Sequence, residues 1–272
     1  MSRPVAFGAA TWPAAMIVWG PGVTTAPHRH HCVQLTLVLQ GSFRLRRGPD
    51  DAWRVCRAAL VRPDAVHQMD TSRSPALFGF FEPESSIGAA LCQTIRGDMT
   101  VVGAPSVARW RAALGLRPTS ARIRQWVNDE LARNRSPVTL DPRVETVLTY
   151  LRAHLDKKDK LSLQALAAVA VMSPSRLMHL FTESLGVPLR PYIRWLRLQQ
   201  AACELIAGTT MSVAAHSAGF ADAAHLTRTF RRTFGTTPSS FFGPNRSGAG
   251  VSLTTDGQGG DSVAAPIEAA GG

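Results

Sequence analysis

Hydrophobic and polar positions change period partway along the chain. Over the first hundred residues apolar positions come in short runs, Ala15 to Trp19, Val33 to Gln40, Ser42 to Arg47, Trp53 to Val61 and Ala76 to Phe81, separated by Gly-Pro, Pro-Asp and Gly turn signals. This predicts a β domain over residues 1–102, closed as a small barrel. Past Ser85 the spacing becomes helical, with Val107 to Leu116 and Ala121 to Asn134 as amphipathic helices in a linker over 103–142. Asp141 followed by Pro142 supplies an N-cap and a first-turn proline for a helix with Val144, Val147, Leu148 and Leu151 on one face. From there to Phe242 the pattern is all-α. The remainder, 243–272, has no aromatic residue and is rich in Gly, Ser and Ala, so it is expected to be disordered.

The helical half repeats itself. At an offset of 49 residues Leu177, Phe181, Leu185, Gly186 and Tyr192 fall on Leu226, Phe230, Phe234, Gly235 and Phe241, and the capping residue Ser173 falls on Asp222. Each copy holds a short helix (Leu163 to Ala170; Met211 to Ala218), a three- to four-residue turn, and a longer helix ending at glycine. That is helix-turn-helix spacing, over about 163–185 and 211–234. Leu177, Leu180, Phe181 and Leu185 make the buried stripe of one long helix, and Leu226, Phe230 and Phe234 that of the other. The opposite faces carry Ser175, Arg176, Met178, His179 and Thr182, and Ala224, Thr227, Arg228 and Arg231. Between the copies, Pro191 to Ala207 reads as one helix bearing Arg194 and Arg197, with Arg190 just before it. At roughly 25 Å it is long enough to set two such units about one DNA turn apart.

Charge gives this pattern a partner. Thirty Lys and Arg against nineteen Asp and Glu leave a formal +11, which asks for a polyanion, nucleic acid or an anionic membrane. By region the balance is +3 over 1–102, +4 over 103–142, +6 over 143–242 and −2 over 243–272, so the excess lies with the helices. Cys32, Cys56, Cys92 and Cys203 form no CxxC pair and read as reduced core residues rather than disulfides or a zinc site. The stretch Val5 to Trp19 follows Arg3 but is broken by Thr11, Trp12 and Pro13, unlike a signal peptide. No apolar run nears the roughly 18 residues of a spanning helix. These features predict a soluble cytoplasmic protein without a membrane partner.

The stretch Ser162 to Phe242 resembles the AraC/XylS transcription regulators. The resemblance is carried by SPSRLMHLF (173–181) with Gly186, WLRLQQA (195–201), and above all GFADAAHLTRTFRRTFGTTPSSF (219–241). Gly219, Phe220, Asp222, His225, Leu226, Arg228, Phe230, Gly235 and Pro238 all stand in family positions; Ala214 departs, standing where isoleucine is commoner. The resemblance implies an all-α DNA-binding domain with two helix-turn-helix motifs, and base readout of double-stranded DNA by Ser175, Met178 and His179 and by Ala224, Thr227 and Arg228. Arg228 is the candidate for a bidentate guanine contact. Arg176 and Arg231 flank the two faces.

In the front domain Gly22, His28, His30, Gln34 and Gly41 follow the spacing of the first cupin motif, with Gln34 where metal-binding cupins have glutamate. Arg62-Pro63-Asp64-Ala65-Val66-His67 resembles the turn of the second motif. In an extended strand His28 and His30 share one face, the barrel interior in this reading, while His31 points outward. Two readings remain: a divalent metal held by His28, His30 and His67 with Gln34 as a neutral fourth ligand, or a histidine-lined mouth that contacts an organic effector through His28, His30, Gln34 and His67.

The fold class expected is therefore α+β multidomain: a cupin-like β-barrel, a helical linker, and an all-α domain with two helix-turn-helix motifs. The function expected is a one-component, non-enzymatic regulator whose DNA binding or activation responds to a small molecule. It requires no cofactor, with a divalent metal as the candidate. The resemblance implies a homodimer formed through the linker helices, which otherwise simply pack on the barrel, and contact with RNA polymerase in an activator. A metal-dependent cupin enzyme with an accessory helical domain is the competing class; no serine, cysteine or carboxylate arrangement suggests nucleophilic catalysis.

Overall fold

The computed structural model describes residues 8–242 except 13, 136 and 156. The expected disordered tail, 243–272, lies outside the described residues. Among the described residues nine strands form the front domain: β1 (Gly8–Trp12), β2 (Ala15–Gly20), β3 (Val33–Val38), β4 (Phe43–Arg46), β5 (Arg54–Cys56), β6 (Ala58–Val61), β7 (Gln68–Asp70), β8 (Ala76–Phe81) and β9 (Met99–Val101). They pair antiparallel in two sheets, β1-β2-β8-β3-β6-β9 and β5-β4-β7. The expected single closed barrel is thus two facing sheets with separate edges. The run Trp53 to Val61 is two strands rather than one, because its halves belong to different sheets: β5 pairs with β4, and β6 with β3.

In the large sheet β2, β3 and β8 are buried throughout. Burial on both faces is why β2 and β8 read as continuous apolar runs, whereas β3 alternates, with polar Gln34 and Thr36 on one face of the sheet. One face meets Phe43 and Leu45 of β4 and Met69 of β7. The other is covered by α1 (Ser86–Thr94), α2 (Ala104–Leu114) and α3 (Ser120–Trp126), with Leu91, Trp110, Leu114, Ile123 and Trp126 in the shared core. A π turn (Val127–Leu131) and a 3-10 turn (Ala132–Asn134) extend α3. The linker helices therefore pack on the back of the sheet.

The helical half comprises α4 (Pro142–Ala153), α5 (Leu163–Val169), α6 (Pro174–Leu185), α7 (Leu189–Ile206), α8 (Met211–Ser217), α9 (Ala223–Phe234) and α10 (Pro238–Phe242). The caps follow the sequence. Asp141 Oδ1 accepts from Arg143 N–H, Ser173 Oγ from Arg176 N–H and Asp222 Oδ1 from His225 N–H. Gly186 and Gly235 end α6 and α9 in the left-handed region at φ +70° and +68°. No single helix among the described residues is long and apolar enough to cross a membrane.

The two halves share one core, in which Phe78 and Phe80 of β8 meet Phe234 and Phe241. A polar fastener lies beside it. Glu82, fully buried just after β8, accepts from Arg152 of α4 (Nη2, 2.6 Å) and from the Tyr192 hydroxyl of α7 (2.9 Å). Removing one partner of such a pair leaves a buried charge without compensation. Arg152→Met is expected to lower unfolding free energy by about 3 kcal/mol, read from urea denaturation.

Close by, burial and the neighbouring Glu82 charge push the Glu84 carboxyl up to about 7. The folded state thus holds this proton more tightly than the unfolded chain does, so the stability it contributes is full below about pH 4.5, falls as pH rises to about 7, and is level beyond. The melting-temperature advantage of Glu84→Gln over the parent protein is expected to grow across that window and then plateau. An advantage independent of pH would contradict the assignment.

Candidate nucleic-acid interface and histidine cluster

Pairs α5–α6 and α8–α9 have the same build. The α5 and α6 axes bend by 78° at their turn. Each first helix ends in the same backbone device: Val171 N–H donates to Ala168 C=O and Met172 N–H to Ala167 C=O, as Gly219 does to His216 and Phe220 to Ala215. Val171 (φ +51°) and Gly219 (φ +75°) take the left-handed position. These positions differ by 48 residues while the following caps differ by 49, so the second turn is one residue longer. A uniform offset hides that insertion.

The second helix of each pair buries the predicted stripe except Leu180, which is half-buried. Leu177, Phe181 and Leu185 are buried in α6, and Leu226, Phe230 and Phe234 in α9. Ser175, Arg176, Met178 and His179 are exposed on α6, and Ala224, Arg228 and Arg231 on α9. Thr227 is half-buried and its hydroxyl donates to Ala223 C=O, as the Thr182 hydroxyl donates to Met178 C=O. The structure thus places these predicted residues on two outward faces, with Thr227 at the margin. Beside the start of α9 lies a groove of about 320 Å³ lined by Arg190, Arg194, Arg197, His225 and the apolar Leu161, Ile193 and Phe220. It gives the arginines of the connecting helix a common surface. Burial pushes the Arg197 guanidinium down, where it lies against Gly219.

The histidines converge as predicted, although not from a strand. His28 and His67 face each other in an isolated antiparallel bridge, and the turn delivering His67 holds Asp64 at φ +61°, its N–H donating to His30 C=O (2.8 Å). Nδ1–H of His28 donates to Ala26 C=O and that of His67 to Ala65 C=O, both at 2.9 Å. Gln34 Oε1 lies 2.7 Å from His30 Nε2 and 3.2 Å from His67 Nε2. His30 Nδ1 lies 3.0 Å from Cys32 Sγ. Burial, reinforced by the repulsion that charging both His28 and His30 would bring, pushes His28 down to about 3, and burial also pulls His30 and His67 down, so the cluster favours neutral rings. Their ligand nitrogens lie within 4.8 Å of one another. Neutral imidazoles anchored through the opposite nitrogen suit zinc-like cations.

His31 corrects its expectation. It is not outward: the chain between the His28 bridge and β3 is irregular, and the ring turns in to donate from Nδ1 to Asp64 (3.2 Å), with Nε2 3.8 Å from Glu84. Sequence reasoning also missed what covers the cluster. Trp195, Phe234 and Phe80 ring His30 at centroid distances of 6.3, 6.0 and 5.6 Å. Gly235 C=O accepts from Ala26 N–H at 2.7 Å. A Cβ on Gly235 would stand 2.3 Å from Ala26 O and 2.6 Å from His28 Nδ1, so close approach and positive φ both call for glycine. The only sequence signal was that glycine, already explained as a helix end.

Residues 166–243 match a family model described as a helix-turn-helix domain. The arabinose operon regulatory protein of Escherichia coli (strain K12) is 32% identical over 104 residues, 38% of this chain and 35% of the relative. The chain spans about a third of the length of the arabinose regulators it matches. The HTH-type transcriptional regulator NimR of the same strain is 24% identical over 80% of this chain and 82% of its own. An apo form of ToxT from Vibrio cholerae strain SCE256 has a similar fold, with TM-score 0.54, 12% identity, and coverage of 84% of this chain and 97% of that one. Residues 166–243 thus match a helix-turn-helix domain and are similar in sequence to the arabinose regulators, and they follow a mixed sheet-and-helix domain in a fold like that of ToxT.

The cap of α9 can be checked directly. Asp222→Ala is expected to cost about 1 kcal/mol of stability, with Asp222→Ser retaining most of it, in paired urea titrations.

Proposed function

We propose that this chain is a one-component transcription regulator that binds double-stranded DNA through two helix-turn-helix motifs, over about 163–185 and 211–234, and responds to a ligand in its front domain. The observation that carries the reading is the duplicated helix pair with both second helices exposed on either side of one connecting helix, α7. At 18 residues α7 is about 27 Å long, comparable with the roughly 34 Å between successive major grooves on one side of a duplex. Ser175, Met178 and His179 read one groove and Ala224, Thr227 and Arg228 the next. Arg176, Arg231 and the arginine groove on α7 hold phosphates, supplying salt-sensitive affinity.

The ligand site is the cluster of His28, His30, Gln34 and His67, with His28, His30 and His67 as candidate metal ligands. A regulator of this type works in the cytoplasm as a homodimer, with RNA polymerase as a further partner if it activates. The named relatives are regulators, and the cavity adjoining the cluster, about 10 Å³, has room for one water and none for an organic substrate. Both points favour a regulator over a metal-dependent cupin enzyme.

Arg228→Ala tests the reading. In a binding-site selection with the full chain, base preference at one position is expected to relax by roughly 10-fold, the lower part of the 1–3 kcal/mol range of a bidentate contact. The same selection by parent and variant would remove Arg228 from readout; failure of the parent chain to enrich any sequence would overturn the regulator reading.

A further inference from the structure

The regulator reading leaves open what the front domain senses and how the helical half learns of it. His28, His30 and His67 are exposed by 6%, 5% and 0%, and the cavity beside them is lined by Thr25, Met69, Phe78, Phe80, Phe234 and Phe241 as well as His28 and Gln34. An organic molecule reaches the cluster only after the DNA-binding unit lifts away. A monatomic cation fits with the unit in place.

The donor atoms are arranged for such an ion. With their Nδ1 protons committed to Ala26 and Ala65, neutral His28 and His67 keep Nε2 as the bare lone pair, and the three rings each offer a ligand nitrogen within 4.8 Å of the others. His67 Nε2 faces Gln34 Oε1 at 3.2 Å, acceptor to acceptor. A cation between them turns that repulsion into coordination. His30 has a contact at each nitrogen, Cys32 Sγ and Gln34 Oε1, so its proton can move to Nδ1 and free Nε2. Three imidazoles and an amide oxygen make a neutral N3O set of the kind a tetrahedral zinc ion accepts.

We propose that His28, His30 and His67 hold one zinc-like divalent cation, and that this cation clasps the DNA-binding unit to the β domain through Ala26 and Gly235. This inference rests on the regulator reading and names its signal. The relay is short. A metal on Nε2 fixes the His28 ring, whose Nδ1–H holds Ala26 C=O. Ala26 N–H in turn holds Gly235 C=O at the end of the second recognition helix. When the unit lifts, His28 loses the Gly235 backbone packed on it and His30 loses Phe234. The cation therefore binds the clasped arrangement more tightly, and reciprocally stabilises it.

The test uses the full chain, freed of metal by chelator and titrated with cobalt(II), followed by zinc competition. One equivalent of cobalt is expected to give the intense visible bands of a four-coordinate site, bleached by zinc and absent from His67→Ala. Gln34→Glu, which adds a carboxylate, is expected to tighten cobalt binding by roughly 10-fold, and it keeps the test valid should His67→Ala fail to fold. Hydrogen exchange at Ala26 N–H is expected to slow by about 10-fold on zinc loading, and Gly235→Ala, which forces the contact apart, to weaken cobalt binding by a similar factor. Lack of stoichiometric cobalt uptake would overturn the site, with the Gln34 amide group instead donating between the rings. Uptake with Ala26 exchange and the Gly235→Ala affinity both unchanged would overturn the clasp. A parent chain that enriches no DNA sequence fails the regulator reading separately and leaves the cobalt result standing.

Discussion

The contact between Gly235 and Ala26 is the constraint around which the two halves are arranged. It demands a residue without a side chain, held at positive φ, at the point where α9 ends. It also brings a backbone carbonyl to the Ala26 N–H, beside the histidine cluster. Phe234 follows from it, because the helix end that delivers Gly235 carries its ring onto Phe80, and α10, three residues on, brings Phe241 onto Phe78. The neutrality of the histidines follows as well: the same cover that seals them removes the water that would solvate a charged ring.

A second fastening holds α4 and α7 by different physics. Glu82 is a buried carboxylate whose cost is met by a guanidinium and a phenol from the helical half. A buried ion pair of this sort adds less net stability than an apolar contact of the same size, yet it is demanding in geometry. It therefore specifies where α4 and α7 sit on the β domain, while the aromatic contact supplies apolar burial. Glu84, beside it and close to the Glu82 charge, adds an ionisation that the folded chain resists.

Much of this was legible in the sequence because it is local. Ser173, Asp222, Gly186 and Gly235 act within one helix turn, and their types alone mark where α6 and α9 begin and end. The stripes of Leu177, Phe181 and Leu226, Phe230 are likewise set by helical period. The convergence of His28, His30 and His67 was legible through motif spacing, although an irregular segment and not a strand brings it about. What was not legible depends on partners distant in the chain. The run Trp53 to Val61 divides because its halves pair with different sheets. His31 turns inward because Asp64 and Glu84 wait for it. The cover over the cluster comes from residues some two hundred positions away, and nothing in the spacing of either segment announces that they meet.

The two fastenings hold different helices, α4 and α7 at Glu82 and the end of α9 at Gly235, so the stiffness of what joins them decides how a change at one is felt. Helix α7 runs for 18 residues with its one proline, Pro191, in the first turn, where a proline costs no hydrogen bond, and it contains no glycine. Nine of its residues are buried, which leaves no segment free to bend independently of its neighbours. Tyr192 near its start touches the Glu82 fastening, and Trp195, one turn on, touches His30. A displacement at the histidine cluster thus cannot be absorbed within α7. It must move α6 and α9 together, or break the Glu82 contacts and release the whole helical half. Altering the spacing of α6 and α9 is the one response this connection opposes. In the proposed regulator, a signal at the cluster is therefore suited to changing how the helical half is presented rather than which sequence it reads.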